Sequence, residues 1–254
     1  MSDTLLVLAA ALAAGFLDAS IGGGGMLLVP ALFAAFPSSA HALLIGTNKV
    51  ASSPGLAIAA WRFSRGGLMP WHAALPAALA YAATTIAGVF VSRMVPSEIF
   101  RLLVPVMLTA MLLYVLTRRE FGVSHTPVAG RGLPAALLLG ATLGFYEGFF
   151  GPGGGALLIF AFVRLFGFDF LRASAAAKLS NFAGCTTAAV VFGLHGEAMW
   201  GLAAGMAVVY IGGAWIGAHV ALARGSRWLR RLFILVAALL IARTGWDALR
   251  PFLA

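Results

Sequence analysis

Apolar and polar positions fall in long blocks along this chain. Apolar runs cover about 4–36, 41–61, 70–92, 99–117, 133–165, 171–193, 198–222 and 229–249. Most are ~20 residues long, the length a helix needs to cross ~30 Å of hydrocarbon. The first and fifth runs are longer, and glycines interrupt both, in "IGGGGM" (21–26) and "FGPGGGA" (150–156). Each glycine costs a helix roughly 1 kcal/mol relative to alanine, and Pro152 also lacks a backbone donor. Both long runs are therefore predicted to break there, as discontinuous or re-entrant helices. The polar stretch "TRREFGVSHTPVAGRG" (117–132) separates the eight runs into two sets of four.

The two sets resemble each other. "GFLDASIGGGGMLL" begins at Gly15 and "GFYEGFFGPGGGAL" at Gly144, an offset of 144 minus 15, or 129 residues. Without gaps that offset pairs Asp18 with Glu147, Gly22 with Gly151, Gly24 with Gly153 and Gly25 with Gly154. It goes on to pair Lys49 with Lys178, Gly55 with Gly184, Trp71 with Trp200, Tyr81 with Tyr210 and Arg101 with Arg230. Chance similarity between apolar helices does not put both lysines, both carboxylates and both tryptophans in register, so the chain contains an internal repeat.

Composition fixes the class. Hydrophobic residues make up 61% of the 254 and charged residues 10%, against ~25% charged in soluble domains. The reading is an all-α integral membrane protein, a single membrane domain over 1–254. It divides into a first repeat at 4–117, a cytoplasmic linker at 118–132 and a second repeat at 133–250. The N-terminus has no basic segment and is read as part of the mature protein rather than a signal peptide. A net charge of +9 raises the question of nucleic acid, but the arginines are spread over short loops, as membrane topology requires.

Those arginines also orient the chain. If each glycine-broken run enters and leaves on one side, each half has an odd number of crossings and the second half is inverted. One side then collects Arg62, Arg65, Arg118, Arg119, Arg131, Arg164, Arg172, Arg224, Arg227, Arg230 and Arg231. The other keeps Arg93, Arg101 and Arg250, with Arg243 near a helix end. The expectation is two inverted repeats with both termini outside the cytoplasm. Re-entrant hairpins and thin double crossings give the same count.

The candidate chemistry lies on the repeat. Non-helical backbone at membrane depth must be buried or line a wet cavity. A break also leaves free N–H groups at the start of the next half-helix, which suit an anion. Paired breaks in inverted halves point to a transporter's binding site, here Gly22, Gly23, Gly24 and Gly25 with Gly151, Gly153, Gly154 and Gly155. The chain has two lysines, and each lies about eight residues into an apolar run, where a charge costs ~3 kcal/mol or more. Lys49 and Ser52 share a helix face at i, i+3, as do Lys178 and Asn181, and Asn48 lies beside Lys49. The lysines are read as an inward-facing pair that attracts an anion. Asp18 and Glu147, just before the breaks, are either ion-pair partners of the lysines or proton carriers. The histidines have no metal-ligand spacing, so no metal or other cofactor is expected. Cys185 is read as a packing residue.

These same residues carry a family resemblance. "GFLDASIGGGGMLLVPAL" followed by "GTNK", then "GFYEGFFGPGGGALL" followed by "FDFLRASAAAKLSN", resemble the TauE/SafE (sulfite exporter) transporter family over nearly the whole chain. Similar proteins often carry Gly-Thr-Gly where this chain has Gly153, Gly154 and Gly155. The resemblance implies a multi-pass permease of the bacterial inner membrane for small sulfur-containing anions such as sulfite, thiosulfate or organosulfonates. Its partners would be that anion, membrane lipid and a coupling proton or sodium ion. The alternatives are an uncoupled anion channel using the same donors and an intramembrane enzyme or assembly factor. The enzyme is disfavoured because no nucleophile with a base, and no metal cluster, is present. "GPGGGA" lacks the Lys-Ser/Thr that completes a phosphate-binding loop, which argues against direct ATP drive.

Overall fold

A computed structural model describes residues 2–96, 98, 99, 106 and 132–253. All of the regular structure among them is helical. In chain order the helices are α1 (Ser2–Ile21), α2 (Gly24–Ala35), α3 (His41–Arg65) and α4 (Trp71–Met94), then α5 (Leu133–Phe149), α6 (Gly154–Phe166), α7 (Phe170–Leu194) and α8 (Trp200–Leu253). α8 turns at Gly225, whose φ is 75°, so it contains the last two apolar runs. The fourth run, apart from scattered positions, and the connection at 118–131 with its cytoplasmic placement lie outside the described residues.

Among the described residues, three helical stretches are both long and apolar enough to cross a membrane: Thr4–Ile21, Trp71–Met94 and Trp200–Gly225. Large apolar side chains such as Leu79, Leu138, Val208 and Ile216 are exposed around the outside. A soluble monomer does not leave so much large apolar surface uncovered. The polar side chains lie inside instead, with Asp18, Asn48, Lys49, Glu147, Lys178 and Asn181 all buried.

Helix partners cross between the two sequence halves. α4 lies along α5 and α1 along α8, while α3 packs on α7 and α8, and α7 on α4. Small residues make these contacts intimate. A Cβ on Gly144 or Gly148 of α5 would strike the backbone of α4 at Tyr81 or Thr85, and a Cβ on Gly217 of α8 would strike Phe16 of α1. Without a hydrophobic drive between helices in lipid, such backbone approach is what holds them. Thr85 adds a hydrogen bond from its Oγ1 to the Gly144 carbonyl at 3.0 Å.

α1 stops at Ile21 and α2 starts at Gly24, with Gly22 at φ 78° between them. In a continuous helix residues 14 and 24 would be about 15 Å apart. Here a Cβ on Gly24 would stand 2.5 Å from the Ala14 carbonyl oxygen and 2.6 Å from Asp18 Cβ. The chain therefore turns back on α1 at this point. The second interruption lies between Phe149 and Gly154, with Gly151 and Gly153 both at φ 84°, a region that any residue with a Cβ pays to enter. α2 and α6 have 12 and 13 residues, or roughly 18–20 Å of helix, which is short of a full crossing.

Packing also shifts the repeat register. Gly24 sits against Asp18 and Tyr210, and Gly154 sits against Glu147 and Tyr81. That spacing, 154 minus 24, is 130. The ungapped pairing of Gly24 with Gly153 is thus off by one inside the break, because the second interruption carries an extra residue around Pro152. By α3 and α7, which start at His41 and Phe170, the offset is again 129.

Candidate functional site

The two interruptions meet. A Cβ on Gly22 would lie 2.5 Å from the Gly155 carbonyl carbon, and one on Gly25 would lie 3.3 Å from Pro152 Cα. Next to this contact is a small cavity lined by Asp18, Gly22, Gly25, Asn48, Lys49, Ser52, Glu147, Gly151, Gly153, Gly154, Gly155, Asn181, Cys185 and Tyr210. Gly25 and Gly155 are the second residues of α2 and α6, in the first turn of each helix, where backbone N–H groups lack an acceptor within the helix. The wall therefore combines helix starts with a cation, two carboxylates, four neutral polar side chains and a thiol from helices remote in sequence.

Two matched sets of charged groups stand in and beside the cavity wall, and they differ. In the first, Lys49 of α3 pairs with Glu147 Oε1 of α5. Tyr81 of α4 donates to Glu147 Oε2 at 3.0 Å, and the Cys185 thiol donates to Oε1 at 3.2 Å. In the second, Tyr210 of α8 donates to Asp18 Oδ2 at 2.6 Å. Lys178 is near enough to Asp18 to feel its charge, yet its fully buried Nζ has no hydrogen-bond partner. Aspartate is one methylene shorter than glutamate, and no ion pair or hydrogen bond joins Asp18 to Lys178 as one joins Glu147 to Lys49. A buried polar group without a partner is costly, and a charge more so.

Comparison with known proteins agrees with the sequence resemblance. The sequence profile described as "Sulfite exporter TauE/SafE" matches residues 7–244. The chain belongs to the TauE/SafE family. It is similar to "Probable membrane transporter protein YfcA" of Escherichia coli (strain K12), with 33% identity over 94% of this chain and 88% of that protein. It is also similar to "Probable membrane transporter protein ORF9" of Sinorhizobium sp, at 32% identity over 95% and 92%. A third relative is a "Probable membrane transporter protein" of Haemophilus influenzae, at 30% over 92% and 91%. No solved structure matches this TauE/SafE chain. It is accordingly a membrane protein of a transporter family.

Most of the residues singled out by sequence come together in this family member. Asp18, Gly22, Gly25, Asn48, Lys49, Ser52, Glu147, Gly151, Gly153, Gly154, Gly155 and Asn181 all line the one cavity. Gly23, Gly24 and Lys178 do not. Gly23 is the residue before α2, Gly24 is wedged against Asp18 and Tyr210, and Lys178 is buried behind the wall. Sequence reasoning left out three residues. Cys185, read as packing, lines the cavity and hydrogen-bonds Glu147. Tyr81 and Tyr210 were visible as a matched pair, but a tyrosine in an apolar helix gives no sign of its partner until the helices are placed.

Proposed function

We propose that this protein is a secondary transporter of small sulfur-containing anions such as sulfite, thiosulfate or organosulfonates, working by alternating access around the cavity between the two interruptions. The observation that carries this reading is the meeting of two chain breaks, about 129 residues apart in sequence, at one buried polar cavity that also holds Lys49 and Glu147. The family description names sulfite export, which supplies the substrate class. The two halves form inverted repeats, α1 to α4 matching α5 to α8, with each interrupted run acting as a re-entrant hairpin. In support, α2 folds back on α1 and is too short to cross.

The protein sits in the bacterial inner membrane with both termini outside the cytoplasm. The ends of the helices support this. At one end the Arg62 guanidinium lies 4.3 Å over the Trp215 ring and Arg65 lies 5.2 Å over Trp61. At the other, Arg93 pairs with Glu197 at 2.9 Å. Arginine and tryptophan at helix ends are typical of the membrane interface. Labelling of cysteines introduced at 117–132 should occur from the cytoplasmic side only; external labelling contradicts the inverted arrangement.

The test of function is binding and flux on purified protein. Sulfite, thiosulfate and short sulfonates should bind, and uptake into liposomes should saturate and follow an ion gradient. Saturable binding without gradient-driven accumulation indicates an uncoupled channel. Failure of all these anions to bind refutes the substrate class.

A further inference from the structure

The charged groups in and beside the cavity wall add up to neutrality in pairs, Lys49 with Glu147 and Lys178 with Asp18. An anion entering from water adds a negative charge to a buried space. At low effective dielectric that charge is expensive unless it is compensated. Four basic or acidic side chains are available to compensate it, and they are not equivalent.

Glu147 is fully engaged, with Lys49 and Cys185 on one oxygen and Tyr81 on the other. Protonating it would break a buried ion pair. Asp18 lines the cavity and accepts from Tyr210, and it is in none of the ion pairs among the described residues. Its neighbouring cation, Lys178, has no hydrogen-bond partner. The charged and titratable groups near enough to Asp18 to feel its charge are Tyr210 from α8, Lys178 and Cys185 from α7, Glu147 from α5 and Lys49 from α3.

We propose that Asp18 and Lys178 form the coupling site: Asp18 takes up one proton with each anion brought in, and Lys178 then balances one negative charge of the anion instead of Asp18. This rests on the reading of the cavity as the anion's site. Nothing covalent changes except the proton, which comes from water and leaves to water. The proton and the anion favour each other, because a protonated Asp18 no longer competes for Lys178 and a bound anion raises the cost of a charged Asp18. Such coupling is reciprocal. For a monoanion the loaded cavity is neutral, so the loaded carrier moves with no net charge. The one-methylene difference between Asp18 and Glu147 thus makes the two halves unlike in role: one half holds a fixed ion pair and the other an open pair that responds to the substrate.

The experiment uses the full chain in liposomes with a trapped pH-sensitive dye. Sulfite, thiosulfate and methanesulfonate are the probes, and methanesulfonate stays a monoanion across the working pH range. The expected result is one proton per methanesulfonate, with a rate insensitive to imposed membrane potential. In Asp18→Asn the remaining anion flux should carry no protons, and Asp18→Glu, long enough to close an ion pair with Lys178 as Glu147 does with Lys49, should lower the proton-to-anion ratio. The wild-type measurement stands even if the asparagine variant fails to fold. Anion flux without protons in the wild type overturns the proposal, as does an Asp18→Asn variant with an unchanged proton-to-anion ratio. If none of the three probes binds or moves, the reading of the cavity has failed and the coupling site falls with it.

Discussion

The two lysines make the sharpest prediction, because the same substitution should act differently at matched positions. Lys49→Met removes the cation from a buried ion pair and leaves Glu147 with an uncompensated charge at 2% exposure. Breaking such a pair from one side typically costs ~3–5 kcal/mol. At ~2–4 °C per kcal/mol for a chain of this size, the midpoint of thermal unfolding should fall by roughly 6–20 °C. Lys178→Met takes away a buried ammonium that has no hydrogen-bond partner. It breaks no ion pair within bonding distance, and methionine fills a similar volume, so its midpoint should stay within a few degrees of wild type or rise. Combining Lys49→Met with Glu147→Gln should recover much of the loss, since the stranded charge is gone. The assay is thermal unfolding of purified protein in one detergent at neutral pH. Equal shifts for the two lysine variants, or a larger fall for Lys178→Met, would refute the claim that one set is closed and the other open.

Further predictions follow from the packing. Gly22→Ala should destabilise by ~2–5 kcal/mol, the sum of ~1–2 for a left-handed backbone and ~1–3 for overpacking against Gly155. Gly201→Ala, where a Cβ would meet nothing within 4 Å, should be neutral or slightly stabilising in the same unfolding assay. Tyr81→Phe removes the donor to Glu147 Oε2 and should cost ~1.5–3 kcal/mol, the value of a hydrogen bond to a charged group. Its unfolding midpoint should fall by several degrees; an unchanged midpoint would mean that the phenol does not hold the carboxylate.

Much of the site was legible because lipid penalises polar groups. A lysine, a carboxylate or a run of glycines inside an apolar helix needs a reason, and the 129-residue offset showed that each had a counterpart. That logic found Lys49, Glu147 and the glycine breaks. It did not find the difference between the two lysines. The sequence pairs Asp18 with Glu147 as equivalent acids, and the missing methylene matters only once distances exist. Cys185 was passed over because a thiol in an apolar helix usually packs, and its neighbour Glu147 lies 38 residues away in sequence. The register slip at Pro152 was hidden for a related reason: glycine runs align with each other at any offset, and only the contacts of Gly24 and Gly154 decide the pairing.

The central claim is that the cavity between the two breaks is where the anion sits. Cys185 is the only cysteine in the chain and it lines that cavity, so the wild-type protein carries its own probe. The decisive measurement is the rate at which sulfonatoethyl methanethiosulfonate, itself a short sulfonate, modifies Cys185 as sulfite, thiosulfate or methanesulfonate is added. The account predicts slow but measurable labelling that is absent in Cys185→Ala. A transported anion should suppress it saturably, with half-suppression at the concentration that half-saturates transport. Labelling that stays constant while transport saturates, or a thiol that never reacts in a transporting protein, would place the anion's path elsewhere.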